Sequence, residues 1–326
     1  MEYIDELADS RNVNIFDYED VNKFKLSTNL NRSDLNFSVL HANIRSYSKH
    51  IDEFFTILNS ISAKFDVIVL TETWQDACGV VVSLDGYDVF VNHLSRNQND
   101  GVIVYVRDCF TVEHEEVRLH GATSLKLNLS YGDKRLCLLA LYRSPSADLD
   151  LSLFIQDLDV YCNAGPRDRF HWIVGDINCC ILQESQNHLS QQYLDVLYGS
   201  GFIACITLPT RVTHETKSCI NHILSDCDEI CKLKGSIIQT EMTDHFFTVA
   251  ELINWQLKNK IHNNHRPTIK ALDEAGVSSV ILDFNWAPVV EEKNVNISSN
   301  LLVSSLRNII EQNTKEKKIT SKFKKI

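Results

Sequence analysis

The chain has 326 residues, 44% hydrophobic and 23% charged, so it can bury a substantial core without staples and is not a low-complexity or fibrous sequence. Its formal charge of −11 argues against a broad, non-specific nucleic-acid surface, although a pocket built from metal-binding carboxylates is acidic by construction. No run approaches the roughly 18 apolar residues of a membrane-spanning helix, and the acidic start MEYIDELADSRNV lacks the apolar stretch of a secretion signal.

That start and the scatter of the ten cysteines, none in a CxxC, read as an intracellular protein with free thiols. Cys219, His222, Cys227 and Cys231 lie close together, but their spacing fits no zinc pattern.

Residues 1–35 are polar, with weak periodicity, and read as a loosely ordered leader. FSVL at 37–40 reads as a short buried strand ending at His41-Ala42-Asn43. Ile51, Phe54, Phe55, Leu58 and Ile61 recur at helical spacing and predict a helix over 49–63. FDVIVL at 65–70 is a second buried strand, running into Thr71-Glu72-Thr73-Trp74. Segments 87–91 and 102–106 read as paired strands, with the turn signal Asn99-Asp100-Gly101 between them. The polar stretch 93–100, with Arg96, is either a contact with DNA or a solvated hairpin tip.

LKLNL at 125–129 and LCLLALY at 136–142 make a hairpin around Tyr131-Gly132-Asp133-Lys134, and an amphipathic helix follows over 149–161. HWIV at 171–174 is a buried strand leading into Gly175-Asp176-Ile177-Asn178. A helix near 190–200 and strand-like segments near 203–208, 219–224 and 245–252 complete the pattern. Strands and helices alternate in two batches, and hairpins are too frequent for a purely parallel sheet. The expected fold is α/β: a four-layered sandwich of two mixed sheets packed face to face, with helices outside. Residues 253–326 read as a partly helical connecting segment. Its end carries Lys315, Lys317, Lys318, Lys322, Lys324 and Lys325, either a grip on phosphates or a solvated terminus.

Polar residues stand where the apolar strands run out: Asn43, Glu72, Tyr142, Asp176, Asn178, Asp244 and His245. Taken singly, each is an ordinary turn, cap or surface residue. Strand ends, however, are where a fold gathers distant residues into one pocket.

In order, the motifs HANIRS, LTETW, LYRSP, GDIN, CINHILSD and MTDHFF resemble the endonuclease/exonuclease/phosphatase superfamily, closest to the apurinic-like endonuclease domain of non-LTR retrotransposons. The resemblance spans residues 36–252. It implies a divalent-metal phosphodiesterase, most simply a DNA-nicking endonuclease in the nucleus, with no obligate protein partner and no membrane. Glu72 would bind Mg2+ (or Mn2+), supported by Asn43, with Asp244 a second carboxylate nearby. Asp176 would orient or deprotonate the attacking water, while Asn178, Tyr142 and His245 would donate hydrogen bonds to phosphate oxygens.

Two motifs depart from the family pattern. Thr243 replaces a usual serine and keeps the hydroxyl. Asn221 stands in CINHIL where the family has an aspartate that accepts a hydrogen bond from the histidine, here His245. An asparagine offers a carbonyl oxygen but no charge, which predicts weakened activity. The alternatives are a decayed module that binds nucleic acid without cutting it, and a phosphoesterase of the same fold acting on another substrate.

Overall fold

In the computed structural model, the residues described are 14–21, 24, 36–61, 63–74, 81–93, 97–145, 148–165, 169–183, 187–227, 232–253, 255, 268–272 and 274–318. The chain divides into two compact units, Met1–Lys260 and Ile261–Ile326.

In the first unit the strands are β1 (Asn14–Asp20), β2 (Phe37–Asn43), β3 (Val67–Thr71), β4 (Tyr87–Val91), β5 (Val102–Arg107), β6 (Thr111–Glu115), β7 (Ala122–Tyr131), β8 (Lys134–Arg143), β9 (Phe170–Asp176), β10 (Ile203–Ala204), β11 (Arg211–Val212), β12 (Lys217–Ser218), β13 (Asn221–Ser225), β14 (Lys232–Gln239) and β15 (Phe247–Ile253). Helices α1 (Tyr47–Ser60), α2 (Asp148–Ala164) and α3 (His188–Gly199) join them. One mixed sheet has seven strands in the order β1-β14-β15-β2-β3-β5-β4, and the other has six in the order β10-β13-β9-β8-β7-β6. The expected α/β sandwich is the observed fold.

Two-sided burial explains the continuous apolar runs. On β2 and β3, Val39, Val67 and Val69 join Leu125, Leu127 and Leu138 in the core between the sheets. The alternating residues Leu40, Ala42, Ile68 and Leu70 face outward onto Ile51, Phe54 and Leu58 of α1. The inter-sheet core is closed at one end by Phe37, whose ring meets Trp172 and Trp255 edge-on at 5.4 Å.

Three strands of the two large sheets were not legible as strands. β1 (NIFDYED) lies within the stretch read as leader and pairs parallel to β14 at the sheet edge. β6 (TVEHE) is a polar edge strand, and β14 (KLKGSIIQ) is broken by lysine and glycine. β1 and β6 are edge strands, where polar or charged residues resist pairing with other chains, whereas β14 lies between β1 and β15.

The second unit pairs β16 (Thr268–Leu272) antiparallel with β17 (Thr314–Lys318), with helices α4 (Glu274–Asp283), α5 (Ala287–Val290) and α6 (Val295–Gln312) between them in sequence. Beside the helices expected for a partly helical segment, it holds a strand pair that the sequence did not suggest. Lys315, Lys317 and Lys318 lie on β17, while Lys322, Lys324 and Lys325 fall outside the described residues. No described helix is long and apolar enough to cross a membrane.

One glycine fixes the spacing of the strands that carry the site. Gly175 has φ 155°, and a Cβ there would lie 1.7 Å from the Leu141 carbonyl oxygen on the paired strand. Gly175→Ala must push β8 and β9 apart beside Asp176, so it should destabilise the fold by about 3 kcal/mol. Urea denaturation checks this, and an unchanged midpoint would refute it.

Candidate active site

The site sits where both sheets end. In the six-stranded sheet, Thr123, Tyr142, Asp176 and Asn221 form one row, each paired directly with the next across β7, β8, β9 and β13. Paired residues point to the same face, so a single row delivers three of the expected groups together. The seven-stranded sheet supplies Asn43 at the end of β2, paired with Thr71, and Glu72 follows immediately.

Asn43 ties the sheets together. Its buried amide nitrogen donates to Glu72 Oε1 at 2.8 Å and to Asp176 Oδ2 at 2.7 Å. Both amide protons are thus used to orient carboxylates that arrive from different sheets. Asp176 is fully buried and accepts a further bond from the Asn178 backbone N–H at 3.1 Å. Burial, reinforced by Glu72 and only partly offset by these donors, pushes its carboxyl up to about 7. No cation touches it within hydrogen-bond reach among the described residues.

Backbone strain concentrates here. The non-glycine residues with positive φ among those described are Arg45 (48°), Ser46 (89°), Glu72 (52°), Trp74 (49°) and Asn178 (50°). All lie just beyond strand ends at the site, where such strain is held by its surroundings. Buried Arg143 props one of these turns, donating from Nε to the Ile177 carbonyl at 2.8 Å and from Nη2 to the Asn178 carbonyl at 3.1 Å. Asn178 returns one amide proton to the Arg143 carbonyl at 2.8 Å, and among the described residues the other has no partner. The Tyr142 hydroxyl is held protonated by burial and by the Glu72 and Asp176 carboxylates, so it is a donor.

His245 is buried, with Nδ1 3.1 Å from Asn221 Oδ1 and 3.7 Å from Asp176 Oδ2. The Asn221 amide nitrogen points to the Phe246 carbonyl at 3.4 Å, which turns its oxygen toward the ring. A neutral ring therefore carries its proton on Nδ1 and leaves Nε2 as an acceptor. Burial is the largest influence on His245; with Arg211 and Arg45 it outweighs Asp244 and lowers the ring pKa to about 3. Thr243 Oγ1 accepts from the His245 backbone N–H at 3.1 Å and donates to the Asn43 carbonyl at 3.4 Å, pinning the His245 loop to β2.

Side-chain donor atoms of Glu72, Asp176 and His245 all lie within 4.8 Å of one another. Two carboxylates and a neutral imidazole, one carboxylate buried without a cation, fit a hard divalent ion. Asp244 differs from its expected place beside the metal. Arg45 Nη1 binds one of its oxygens at 2.5 Å and Arg211 Nε the other at 2.7 Å. Burial opposes its ionisation, but the Arg211 hydrogen bond and the flanking charges bring its carboxyl below the usual range. With both oxygens committed to guanidinium groups, it is not placed as a ligand. Arg45, Arg143 and Arg211 were not singled out from sequence, although Arg45 and Arg143 lie inside the motifs HANIRS and LYRSP.

The loop read as a DNA contact or solvated tip is anchored at one end. Asp100 is buried and accepts from Ser144 Oγ at 2.9 Å and Thr123 Oγ1 at 3.1 Å, while Arg96 lies outside the described residues. At the zinc-like cluster, His222 commits both ring nitrogens, to the Tyr193 hydroxyl at 2.9 Å and the Cys219 carbonyl at 3.1 Å. Cys231 lies outside the described residues.

No family model and no curated protein sequence matches the chain. Solved structures do match its fold. The endonuclease domain of TRAS1, a telomere-specific non-LTR retrotransposon, superposes with a TM-score of 0.52 over 68% of this chain and 100% of its own, at 13% identity. The AP endonuclease LMAP from Leishmania major gives 0.55 over 71% of this chain and 92% of its own, at 11% identity. An endonuclease/exonuclease/phosphatase family protein from Leptotrichia buccalis gives 0.50 over 66% and 99%, at 13% identity. At these identities the likeness is one of fold.

Proposed function

The chain has the fold of the endonuclease/exonuclease/phosphatase superfamily, and from that premise we propose that it is a divalent-metal-dependent phosphodiesterase that nicks DNA, with Mg2+ the fitting ion. The observation that carries this reading is the convergence of Asn43, Glu72, Asp176 and His245 from separate strand ends, with the two carboxylates oriented by one amide. Glu72, with Asp176 and His245 beside it, would hold the ion. When bound, the ion neutralises charge on the phosphate being attacked.

The chain's own groups do the rest. Asp176, whose carboxyl is raised by burial in the metal-free site, takes the proton of the attacking water; an ion beside it favours the ionised form that a base needs. Tyr142 and the remaining amide proton of Asn178 donate to phosphate oxygens as negative charge builds. Asn43 fixes the distance between Glu72 and Asp176, and Asn221 fixes the His245 ring. Asn221 also favours a second reading, a catalytically decayed nucleic-acid-binding module, because it gives the histidine no charge.

Incubation with supercoiled plasmid separates these readings. The wild type is expected to nick in Mg2+ and not in EDTA. Glu72→Gln should lower the rate about 10²-fold and shift the Mg2+ dependence to higher concentration. A folded wild type that binds DNA without nicking it would establish the second reading. Release of phosphate from a small monoester, without nicking, would move the substrate away from DNA.

A further inference from the structure

Three charged side chains at the mouth of the site take no part in the chemistry above. Asp244 is gripped on one oxygen by Arg45 and on the other by Arg211. Side-chain exposure is 41% for Arg45 and 34% for Arg211 but 22% for Asp244, so the carboxylate is the inner anchor and the guanidinium groups face outward. A guanidinium has five N–H donors. Among the described residues each of these makes one side-chain hydrogen bond, and both side chains are partly exposed, so donors remain available to a ligand.

The placement is not loose. Arg45 holds φ 48°, and its N–H donates to Asn43 Oδ1 at 3.2 Å. Arg211 is paired through the backbone with His245, and the Val212 N–H donates to the Asp244 carbonyl at 3.2 Å. Both arginines are thus tied directly to residues of the metal-capable group and its support. One arginine would neutralise Asp244. The second leaves the trio with a net positive charge on a chain whose overall charge is −11. Planar forks with spare donors suit a phosphate.

We propose that Arg45, Asp244 and Arg211 form a phosphate clamp, in which Asp244 is a positioning residue that aims two guanidinium groups at a backbone phosphate beside the phosphodiester to be cleaved. The clamp rests on the DNA-nicking reading and deepens it. It supplies a local grip on the nucleic acid without a broad basic surface.

Binding of a fluorescent DNA duplex, read by anisotropy in EDTA across a range of salt concentrations, tests the clamp without catalysis. Arg45→Gln and Arg211→Gln should each weaken binding several-fold and reduce the slope of log affinity against log salt by about one. Arg45→Lys and Arg211→Lys keep the charge and should restore the slope, which loss of a merely structural ion pair would not explain. Lys64→Gln, at the opposite end of β3, should leave the slope unchanged. If the wild type nicks plasmid but both glutamine variants keep its slope, the clamp is wrong and the function stands. If the folded wild type neither binds nor nicks, the reading beneath it fails and the clamp falls with it.

Discussion

Asn221→Asp should raise the nicking rate by a large factor, with about 10⁴ as the upper bound. That bound is the measured cost of the same carboxylate-to-amide change in a serine-protease triad; here Glu72 and Asp176 remain to limit the loss. In the present chain the Asn221 oxygen fixes the proton of a neutral His245 on Nδ1, so Nε2 has no proton to give to a phosphate oxygen. Only the protonated ring can donate, and its pKa is pulled down to about 3, chiefly by burial. Ionised Asp176 and a protonated His245 ring coexist only as a small fraction between about pH 3 and 7, so wild-type activity should be low, with its optimum on the acid side of neutrality. An aspartate at 221 would stabilise the imidazolium, raise the ring pKa and move the profile toward neutrality. Rate measurements on both proteins across pH check this, and superimposable profiles would sink it.

The same substitution should cost stability. Asn221 is fully buried and paired directly opposite Asp176. A second carboxylate there adds a buried charge beside another, so the metal-free variant should melt below the wild type. Faster catalysis with a lower melting temperature is the expected signature. Nicking by the variant alone would identify the natural chain as an intact scaffold with a disabled histidine.

How much of this was legible follows from burial. The central strands are covered on both faces, so their apolar runs stood out, and the polar residues ending them marked the site. Asn43, Glu72, Tyr142, Asp176, Asn221 and His245 are all brought together as their positions suggested. What sequence did not reveal was the partnership of exposed charges. Arg45 and Asp244 are 199 residues apart, and nothing in local pattern says that an arginine will take a carboxylate away from a metal site. Edge strands β1 and β6 were hidden for the opposite reason to the core strands: their polarity protects the sheet edges and erases the periodicity, while in β14, between β1 and β15, lysine and glycine interrupt the apolar run.

Asp176→Asn sets catalysis directly against stability. The wild-type carboxyl is pushed from 3.8 up to about 7, mainly by burial. A carboxyl whose folded pKa lies above its unfolded value is protonated more readily in the native state. Its contribution to stability is therefore full below about pH 4, is lost as pH rises toward 7, and stays lost above it. A difference of that size corresponds to a penalty on the order of 4 kcal/mol at high pH. Asparagine removes the charge, but its amide cannot accept on both sides from Asn43 and the Asn178 N–H, which returns about 1–3 kcal/mol. The metal-free variant should thus be more stable than the wild type by about 1–3 kcal/mol at about pH 8, with the advantage shrinking as pH falls through the range of the shift. Nicking should fall about 10⁴-fold, because the water loses its base. Mg2+ should raise the wild-type melting temperature and leave the variant's nearly unchanged. Urea titrations at two pH values, with and without Mg2+, decide the matter. A variant less stable than the wild type at high pH would mean that Asp176 is not strained by its burial, and the reason for placing a cation beside it would go.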